Sequence, residues 1–535
     1  MDTSTSKALH KPRHQEFQCW GHRNVATKRV NSGKRLRQGW QGYDQAPPEI
    51  RHPANAVNFW SVAAATLALF YFVTSVYIAS HRLFWYDELF TIRVARLPNW
   101  LTIWTALSQA VDALPPIYYL VVRMSGDPFG NSEVAARLPS ALALAFGLLL
   151  TFDCARRLSD GLHGLIALSV LTCSFLPYYG YEARSYAIYF MLAALALWVW
   201  TCTSADEKWS AVLFGAVLGL SVTMHYYAVL CLVPYAVWEL ARWRPWQPPS
   251  PKLTAGLLGV VLSTALTSKL MLSSSHQFSA GFWAPPSFYA LSTGFSTLFP
   301  DGLFLLALVM IWIGLTKTAA SKTVVEEMQP AESLGWFFLC IPLVGFVVAE
   351  LKTNAFVMRY FIGALPGVAV AFSCLLWRHF HNIYRVSTGV LVLLAACGAA
   401  NQWTIVRHPE SIAPYGLEFA TRQYLRLEDA LRSDGKPFAL FPDSRLYLEA
   451  AYYAKSEDCI FLLGSDATQK ANELNLLRLA QYYPLQFWTM DDLKRHASQT
   501  AFIAPRPDTL DALRLAGFQI SVRFTKPLSV VYLQR

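Results

Sequence analysis

The stretch HRLFWYDELFTIR, residues 81–93, follows the first long apolar run, about 58–80, and sets two adjacent carboxylates, Asp87 and Glu88, among Phe84, Trp85, Tyr86, Leu89 and Phe90. A carboxylate at the centre of a bilayer costs about 2.5–3.5 kcal/mol. Near the surface the cost is smaller, but it still calls for a partner or a task. Two readings compete. Acidic residues in a first helical turn are favoured by the helix dipole, which would make the pair a helix start. Alternatively, a carboxylate in partly dry surroundings holds its proton more tightly and can serve as a general base. Neighbours on a helix point about 100° apart, so the two side chains would serve different partners. Where the other polar motifs fall decides between these readings.

The 535-residue chain is 54% hydrophobic and 14% aromatic, with a mean hydropathy of +0.30. Its apolar residues come in long runs, which excludes an ordinary soluble domain and implies a polytopic membrane protein with soluble ends. The net charge of +10 is unevenly spread. Residues 1–56 hold Lys7, Lys11, Arg13, Arg23, Lys28, Arg29, Lys34, Arg35, Arg37 and Arg51 against four acids. Directly before a membrane span, this block reads as a cytoplasmic tail under the positive-inside rule rather than as a nucleic-acid arm. It lacks the apolar core and cleavage site of a signal peptide, and its polar make-up suggests disorder. The nine cysteines show no zinc or redox spacing, and the C-terminal region has only Cys459.

Eleven apolar runs follow the tail, at about 58–80, 134–155, 162–179, 185–203, 209–224, 226–241, 253–273, 302–316, 335–350, 361–377 and 386–403. Leu114–Met124 is apolar but too short to cross, since a crossing helix needs roughly 20 residues. It reads as an interfacial or re-entrant segment opened by Pro115-Pro116. Alternation from a cytoplasmic N-terminus puts Arg156-Arg157, Arg242, Lys252, Lys317, Lys322 and Arg378 inside. It puts Asp87-Glu88, Asp112, Glu182-Ala183-Arg184, His225 and Arg359-Tyr360 outside, although the topology rests on none of these motifs. Five polar clusters on one face of the membrane point to one site. The fold class expected is mainly α, with a helical membrane domain over 57–403. A small extracytoplasmic α/β domain follows over 404–535, with strands near 438–441, 459–463, 500–503 and 529–533 and helices near 445–454, 468–482 and 508–515.

Each cluster has a plain reading and a chemical one. Glu182 and Arg184, two apart, do not face each other on a helix and should find partners elsewhere. His225 sits beside Tyr226 and Tyr227 at an outer turn. Arg359 could be a snorkelling interfacial arginine, or a clamp that binds phosphate through two parallel hydrogen bonds. Together the groups offer a base, a phosphate-binding cation and an aromatic surface embedded in the membrane. The chain has neither GxGxxG nor GxxxxGK[ST], so a nucleotide donor site of those kinds is not expected. An activated donor then has to arrive within the membrane, as a sugar on a polyprenyl phosphate would.

In these motifs the chain resembles integral-membrane glycosyltransferases of the GT-C superfamily, in the branch of protein O-mannosyltransferases and lipid A aminoarabinose transferases. The resemblance covers about 58–405. It rests on Asp87-Glu88, the Asp112…Pro115-Pro116-Ile117-Tyr118-Tyr119 stretch, Glu182-Ala183-Arg184-Ser185-Tyr186-Ala187, Met224-His225-Tyr226, and Arg359-Tyr360 before a span with Pro366. It implies transfer of a sugar from a polyprenyl-phosphate donor to a glycan, lipid or protein acceptor at the outer face, with inversion. Asp87 would be the base with Glu88 beside it. Arg359 would touch the donor phosphate, and Asp112, Glu182, Arg184, His225 and Tyr360 would line the substrate site. Glu-Ala-Arg replaces the Asp-x-Asp pair of the metal-dependent oligosaccharyltransferases, so no metal or other cofactor is expected, an arginine supplying the charge. A bacterial inner-membrane location follows from the same resemblance. The competing readings are a lipid-linked glycan polymerase, ligase or flippase, and a transporter. Transporters usually place their key charges at the bilayer midplane on broken helices, whereas here they cluster at span ends.

Overall fold

Segments with no water to meet in lipid must satisfy their backbone internally, and the apolar runs among the described residues are accordingly mostly helical. The computed structural model describes residues 54–130, 132–204, 208–243, 248–279, 282, 284–298, 330–381, 383–409, 417–464, 471–524 and 528–534. The membrane part is built on α1 (Ala54–His81), α2 (Tyr86–Ala95), α3 (Trp100–Ser108), α4 (Ile117–Phe129), α5 (Glu133–Leu158), α6 (Gly161–Cys173), α7 (Tyr186–Cys202) and α8 (Lys208–Met224). It continues through α9 (Val233–Ala241), α10 (Pro251–Ser279), α11 (Phe288–Leu298), α12 (Pro330–Phe337), α13 (Cys340–Val348), α14 (Leu365–Phe380) and α15 (Tyr384–Arg407).

Among the described residues six helical stretches are long and apolar enough to cross a membrane: Phe59–His81, Glu133–Leu158, Pro251–His276, Pro330–Thr353, Met358–Phe380 and Tyr384–Arg407. Four shorter apolar ones are Gly161–Cys173, Tyr186–Cys202, Lys208–Met224 and Tyr226–Ala241. Nine of these stretches coincide with expected runs, and the tenth, Gly161–Cys173, with the first part of one. The run at 302–316 and the basic segment before Ala54 lie outside the described residues. The run expected over 162–179 is corrected: α6 stops at Cys173, and a 3-10 turn, Leu176–Tyr181, takes over with Pro177 in its first turn.

Close packing between helices uses small residues, as in other membrane bundles. A Cβ added at Gly259 would stand 2.0 Å from the Gly215 carbonyl oxygen, so α8 and α10 approach backbone to backbone. At one end of the bundle, Lys252 Nζ caps the C-terminus of α7 by donating to the carbonyls of Val199, Trp200 and Thr203 at 3.0, 3.2 and 2.9 Å. Those carbonyls would otherwise lack a partner. Arg157 lies over Trp198 at this end, and Arg378 pairs with the buried Glu332 at 2.8 Å.

The opposite end carries α2–α4 and the C-terminal region. After α16 (Leu417–Ser433), six strands form one sheet: β1 (Phe438–Phe441), β2 (Ile460–Leu463), β3 (Phe487–Trp488), β4 (Thr500–Ile503), β5 (Gln519–Phe524) and β6 (Val530–Gln534). Their order is β3-β2-β1-β4-β6-β5. The first four are parallel, while β6 runs antiparallel to β4 and β5 antiparallel to β6. Helix α17 (Ser444–Tyr453) connects β1 to β2. The central strands are buried on both faces, hence the continuous apolar runs that mark them in the sequence.

This region grips the loop that follows α1. The Leu83 amide donates to Glu418 at 3.1 Å and the Phe84 amide to the Tyr453 hydroxyl at 2.7 Å. Arg93 pairs with Glu457 at 2.9 Å. Tyr482 donates to Gln109 at 2.7 Å. The first loop and the C-terminal sheet therefore lie at the same end of the bundle.

Candidate active site

The adjacent carboxylates divide the two readings between them. Glu88, in the first turn of α2, is fully buried. It accepts from Arg137 Nη2 at 2.6 Å and Arg137 Nε at 2.7 Å, a bidentate pair. It also accepts from the backbone amides of Ala183 at 2.6 Å and Trp85 at 3.2 Å, the latter capping its own helix. Arg137 spends its remaining N–H groups on the carbonyls of Ala79, Arg82 and Leu83 at 3.0, 2.9 and 2.8 Å. Arg137 holds the Glu88 carboxyl below the usual carboxylate range against the opposing pull of burial. Glu88, which the resemblance sets beside Asp87 in the catalytic pair, thus has both oxygens hydrogen-bonded and is buried.

Asp87 turns the other way and is about a quarter exposed. Its Oδ2 meets Arg359 Nη2 at 3.3 Å, and Arg359 is similarly open. That contact is long for a charge-assisted hydrogen bond, which normally spans about 2.7–2.9 Å. The two charged pairs thus differ in kind: one is short, multidentate and dry, the other single, stretched and open.

Glu182 and Arg184 lie in the extended turn between the 3-10 segment and α7. They do not pair with each other. Trp85 Nε1 donates to Glu182 Oε1 at 2.9 Å. Glu182 Oε2 is buried without a hydrogen-bond partner. Burial first, and then the neighbouring Glu88, push the Glu182 carboxyl up to about 7. Arg184 Nη1 lies 2.9 Å from Asp112 Oδ2, 2.9 Å from Thr91 Oγ1 and 3.1 Å from the Asp87 carbonyl. Arg184 therefore joins the α2 loop to the turn that carries Asp112. That turn contains Ala110 at φ +55°, an uncommon conformation for a residue with a Cβ.

An aromatic wall completes the site. His225 stacks on Tyr189 with centroids 5.3 Å apart and planes 6° apart. It also touches Tyr186 and Tyr360, each at 5.3 Å. Tyr227 stacks on Tyr360 at 5.1 Å, and its hydroxyl is anchored by Thr353 and the Ala355 carbonyl, both at 2.8 Å. The Arg359 guanidinium lies 5.7 Å from the Tyr186 ring centre and 6.0 Å from that of Tyr360. Burial, and then Arg184 and Arg359, push the His225 imidazole down to about 3, so it is neutral at physiological pH. Its Nδ1 has no hydrogen-bond partner. Among the described residues, no three or more His, Cys, Asp or Glu side chains gather as a metal site would require.

All eight residues singled out in the sequence meet in this one network. Further members lie outside those motifs, among them Arg137, Trp85, Thr91 and Tyr189. Arg137 sits near the start of an apolar span, and an ionisable residue there is a functional-site signal in its own right. For Trp85, only the fold places the indole N–H against a carboxylate 97 residues away.

A family model described as dolichyl-phosphate-mannose-protein mannosyltransferase matches residues 113–268, which hold Asp112's immediate neighbours, Glu182, Arg184 and His225. The chain is 24% identical over 332 residues to the undecaprenyl phosphate-alpha-4-amino-4-deoxy-L-arabinose arabinosyl transferase of Pseudomonas paraeruginosa. That alignment covers 57% of this chain, and the chain spans only 58% of the length of that curated relative. Among solved structures, ArnT from Cupriavidus metallidurans in the apo state superposes with a TM-score of 0.54 at 14% identity, over 89% of this chain and 98% of that one. The same protein bound to undecaprenyl phosphate gives a TM-score of 0.53 at the same identity and coverage. At such identity the likeness is one of fold.

Proposed function

We propose, on the premise that this chain is a relative of the GT-C membrane proteins of the aminoarabinose transferase and protein mannosyltransferase branch, that it is a glycosyltransferase. It moves a sugar from a polyprenyl-phosphate donor to an acceptor at the outer face of the membrane. The observation that supports this most is the open, stretched contact between Asp87 and Arg359, two opposite charges brought together from 272 residues apart. The buried Glu88–Arg137 and Asp112–Arg184 pairs are short, at 2.6 and 2.9 Å; this pair is poised to separate. A donor phosphate would draw Arg359 away from Asp87, because guanidinium matches phosphate oxygens in two-point geometry. Asp87 is then released to act as a base. It takes the proton of the acceptor hydroxyl or amine as the acceptor atom bonds to the anomeric carbon. The bond from that carbon to the phosphate oxygen breaks, the electron pair leaves with the phosphate, and Arg359 stabilises the charge that develops. Attack opposite the leaving group inverts the anomeric centre. A protonated Glu182 would donate a hydrogen bond to a sugar or phosphate oxygen from its unpaired side. Glu88 and Arg137 position the loop and touch no reacting atom.

The direct test incubates the purified full-length protein in detergent micelles with labelled polyprenyl-phosphate sugars and a panel of acceptors. Loss of label from the lipid, with appearance in the acceptor, is expected. A flippase needs two sides and would leave the label on the lipid, as would a transporter.

The donor contact has its own test. Arg359→Ala should weaken donor affinity at least about tenfold, as loss of a hydrogen bond to a charged group costs roughly 1.5–3 kcal/mol. Arg359→Lys keeps the charge but loses the fork and should fall between the two. Donor titration against wild type measures this, and unchanged affinity in Arg359→Ala would remove the residue from the site.

The orientation is proposed from charge: N-terminus in the cytoplasm, C-terminal sheet outside, the whole in a bacterial inner membrane. Reporter fusions after Lys252 and after Trp403 should read inside and outside respectively. The reverse pattern would put the site on the wrong face for this reading.

A further inference from the structure

Beyond the far end of α2, a cavity of about 300 Å³ is lined by Ile92, Ala95, Arg96, Val122, Arg123 and Asp127, among others. Its arginine at the end of α2 is well away from Asp87: nine residues of helix set Arg96 about 14 Å along the axis from it. Its lining includes the buried apolar side chains of Ile92, Ala95 and Val122, and two arginines, Arg96 and Arg123, line it as well. Arg123 is held in place by the carbonyls of Leu97 and Pro98, which accept from Nη1 at 2.8 Å and Nη2 at 3.3 Å. Each of those contacts uses one hydrogen of a terminal nitrogen that carries two, so the guanidinium keeps donors for an anion. Arg96 caps the C-terminus of α2, with its guanidinium 5.7 Å from the Tyr452 ring centre.

The surroundings say which anion. Helices α3 and α4 beside the cavity are too short to cross a bilayer, yet they expose large apolar side chains. Leu101 and Met124 are each 72% exposed, and Phe129 and Trp100 are also open. Short helices with apolar residues turned outward, Trp among them, lie in the interfacial layer of a membrane. A cavity beside such helices is placed to meet lipid headgroups, and its lining offers apolar contacts from Ile92, Ala95 and Val122 and positive charge from Arg96 and Arg123.

We infer that the Arg96–Arg123 cavity binds the phosphate-bearing headgroup of an anionic lipid in the leaflet facing the C-terminal region. This lipid site is distinct from the one formed by Asp87 and Arg359 and does not depend on the function proposed for it. The exposed Asp127 on the cavity rim opposes the anion and tunes its affinity.

Native mass spectrometry of the full-length protein tests this, with phosphatidylglycerol as the probe, phosphatidylcholine as the neutral control and inorganic phosphate in a separate arm. Phosphatidylglycerol should be retained over phosphatidylcholine. Arg96→Gln should reduce that retention about fivefold, the effect of one exposed charge contact at the upper end of its range. Asp127→Asn should increase it by a similar factor. Both side chains are exposed, and opposite shifts from two exposed positions cannot come from misfolding. Retention unchanged in both variants, or equal for the two lipids, would overturn the inference. Binding of inorganic phosphate that follows the same variants while lipid retention does not would overturn it too, assigning the cavity to a free anion.

Discussion

Asp87→Asn is expected to lower turnover about 100- to 10,000-fold, the range over which a positioned general base contributes. The substitution is nearly isosteric and the side chain is partly exposed, with its one charged contact, to Arg359, already stretched to 3.3 Å. Folding should therefore survive. Donor binding should survive as well, and tighten if anything, since Arg359 no longer has a carboxylate competing for it. The signature is a loss in kcat without a rise in donor KM, as when an interaction made only in the transition state is removed. Steady-state kinetics with labelled donor, alongside a direct donor-binding measurement, separate the outcomes. Normal turnover in Asp87→Asn would end the base assignment. Glu88→Gln is the contrasting case: its carboxylate is spent inside the protein, so its loss should show as lower yield and stability more than as a selective fall in kcat.

Arg137→Ala is expected to be the most damaging substitution for folding. It would strand the fully buried Glu88 and three carbonyls, those of Ala79, Arg82 and Leu83, all partners of the one guanidinium. Removing one member of a buried ion pair typically costs about 3–5 kcal/mol, against a net stability of about 5–15 kcal/mol for a whole domain. Thermal unfolding of the detergent-purified protein, followed by size exclusion and tryptophan fluorescence, should show a markedly lower midpoint or no folded fraction. The double variant Arg137→Met with Glu88→Gln removes both charges and should recover part of the loss. A single Arg137→Ala variant as stable as wild type would show that the pair does not hold the loop.

The two variants together probe a division of labour that the sequence left open. Asp87 and Glu88 have the same chemistry and adjacent positions, and both readings of the pair were viable. In the structure the helix-start reading belongs to Glu88, which caps Trp85, and the exposed position belongs to Asp87. The 100° between neighbouring helical side chains was legible beforehand; which of the two pointed inward was not.

The membrane helices were legible because their signal is local. About 20 consecutive apolar residues have few folded alternatives in lipid, and the alternation of spans sets which of their ends share a side. From those two facts came the gathering of Asp87, Asp112, Glu182, Arg184, His225, Arg359 and Tyr360 at one end. The central strands were legible for the same reason, as apolar runs buried on both faces. Strand β5, whose residues QISVRF are largely exposed at the sheet edge, and the two-residue β3 left no such trace. Nothing local marked Arg137 as the partner of Glu88, 49 residues away, or the Ala183 amide as another, 95 residues away. Nor did the C-terminal region announce that Glu418, Tyr453 and Glu457 would brace the first loop. By itself, then, the sequence determined the helices, their order and the company its polar motifs keep. The tertiary structure alone decided which charge is buried and spent and which is open, because that depends on how much water and which distant partner each carboxylate meets once the chain has packed.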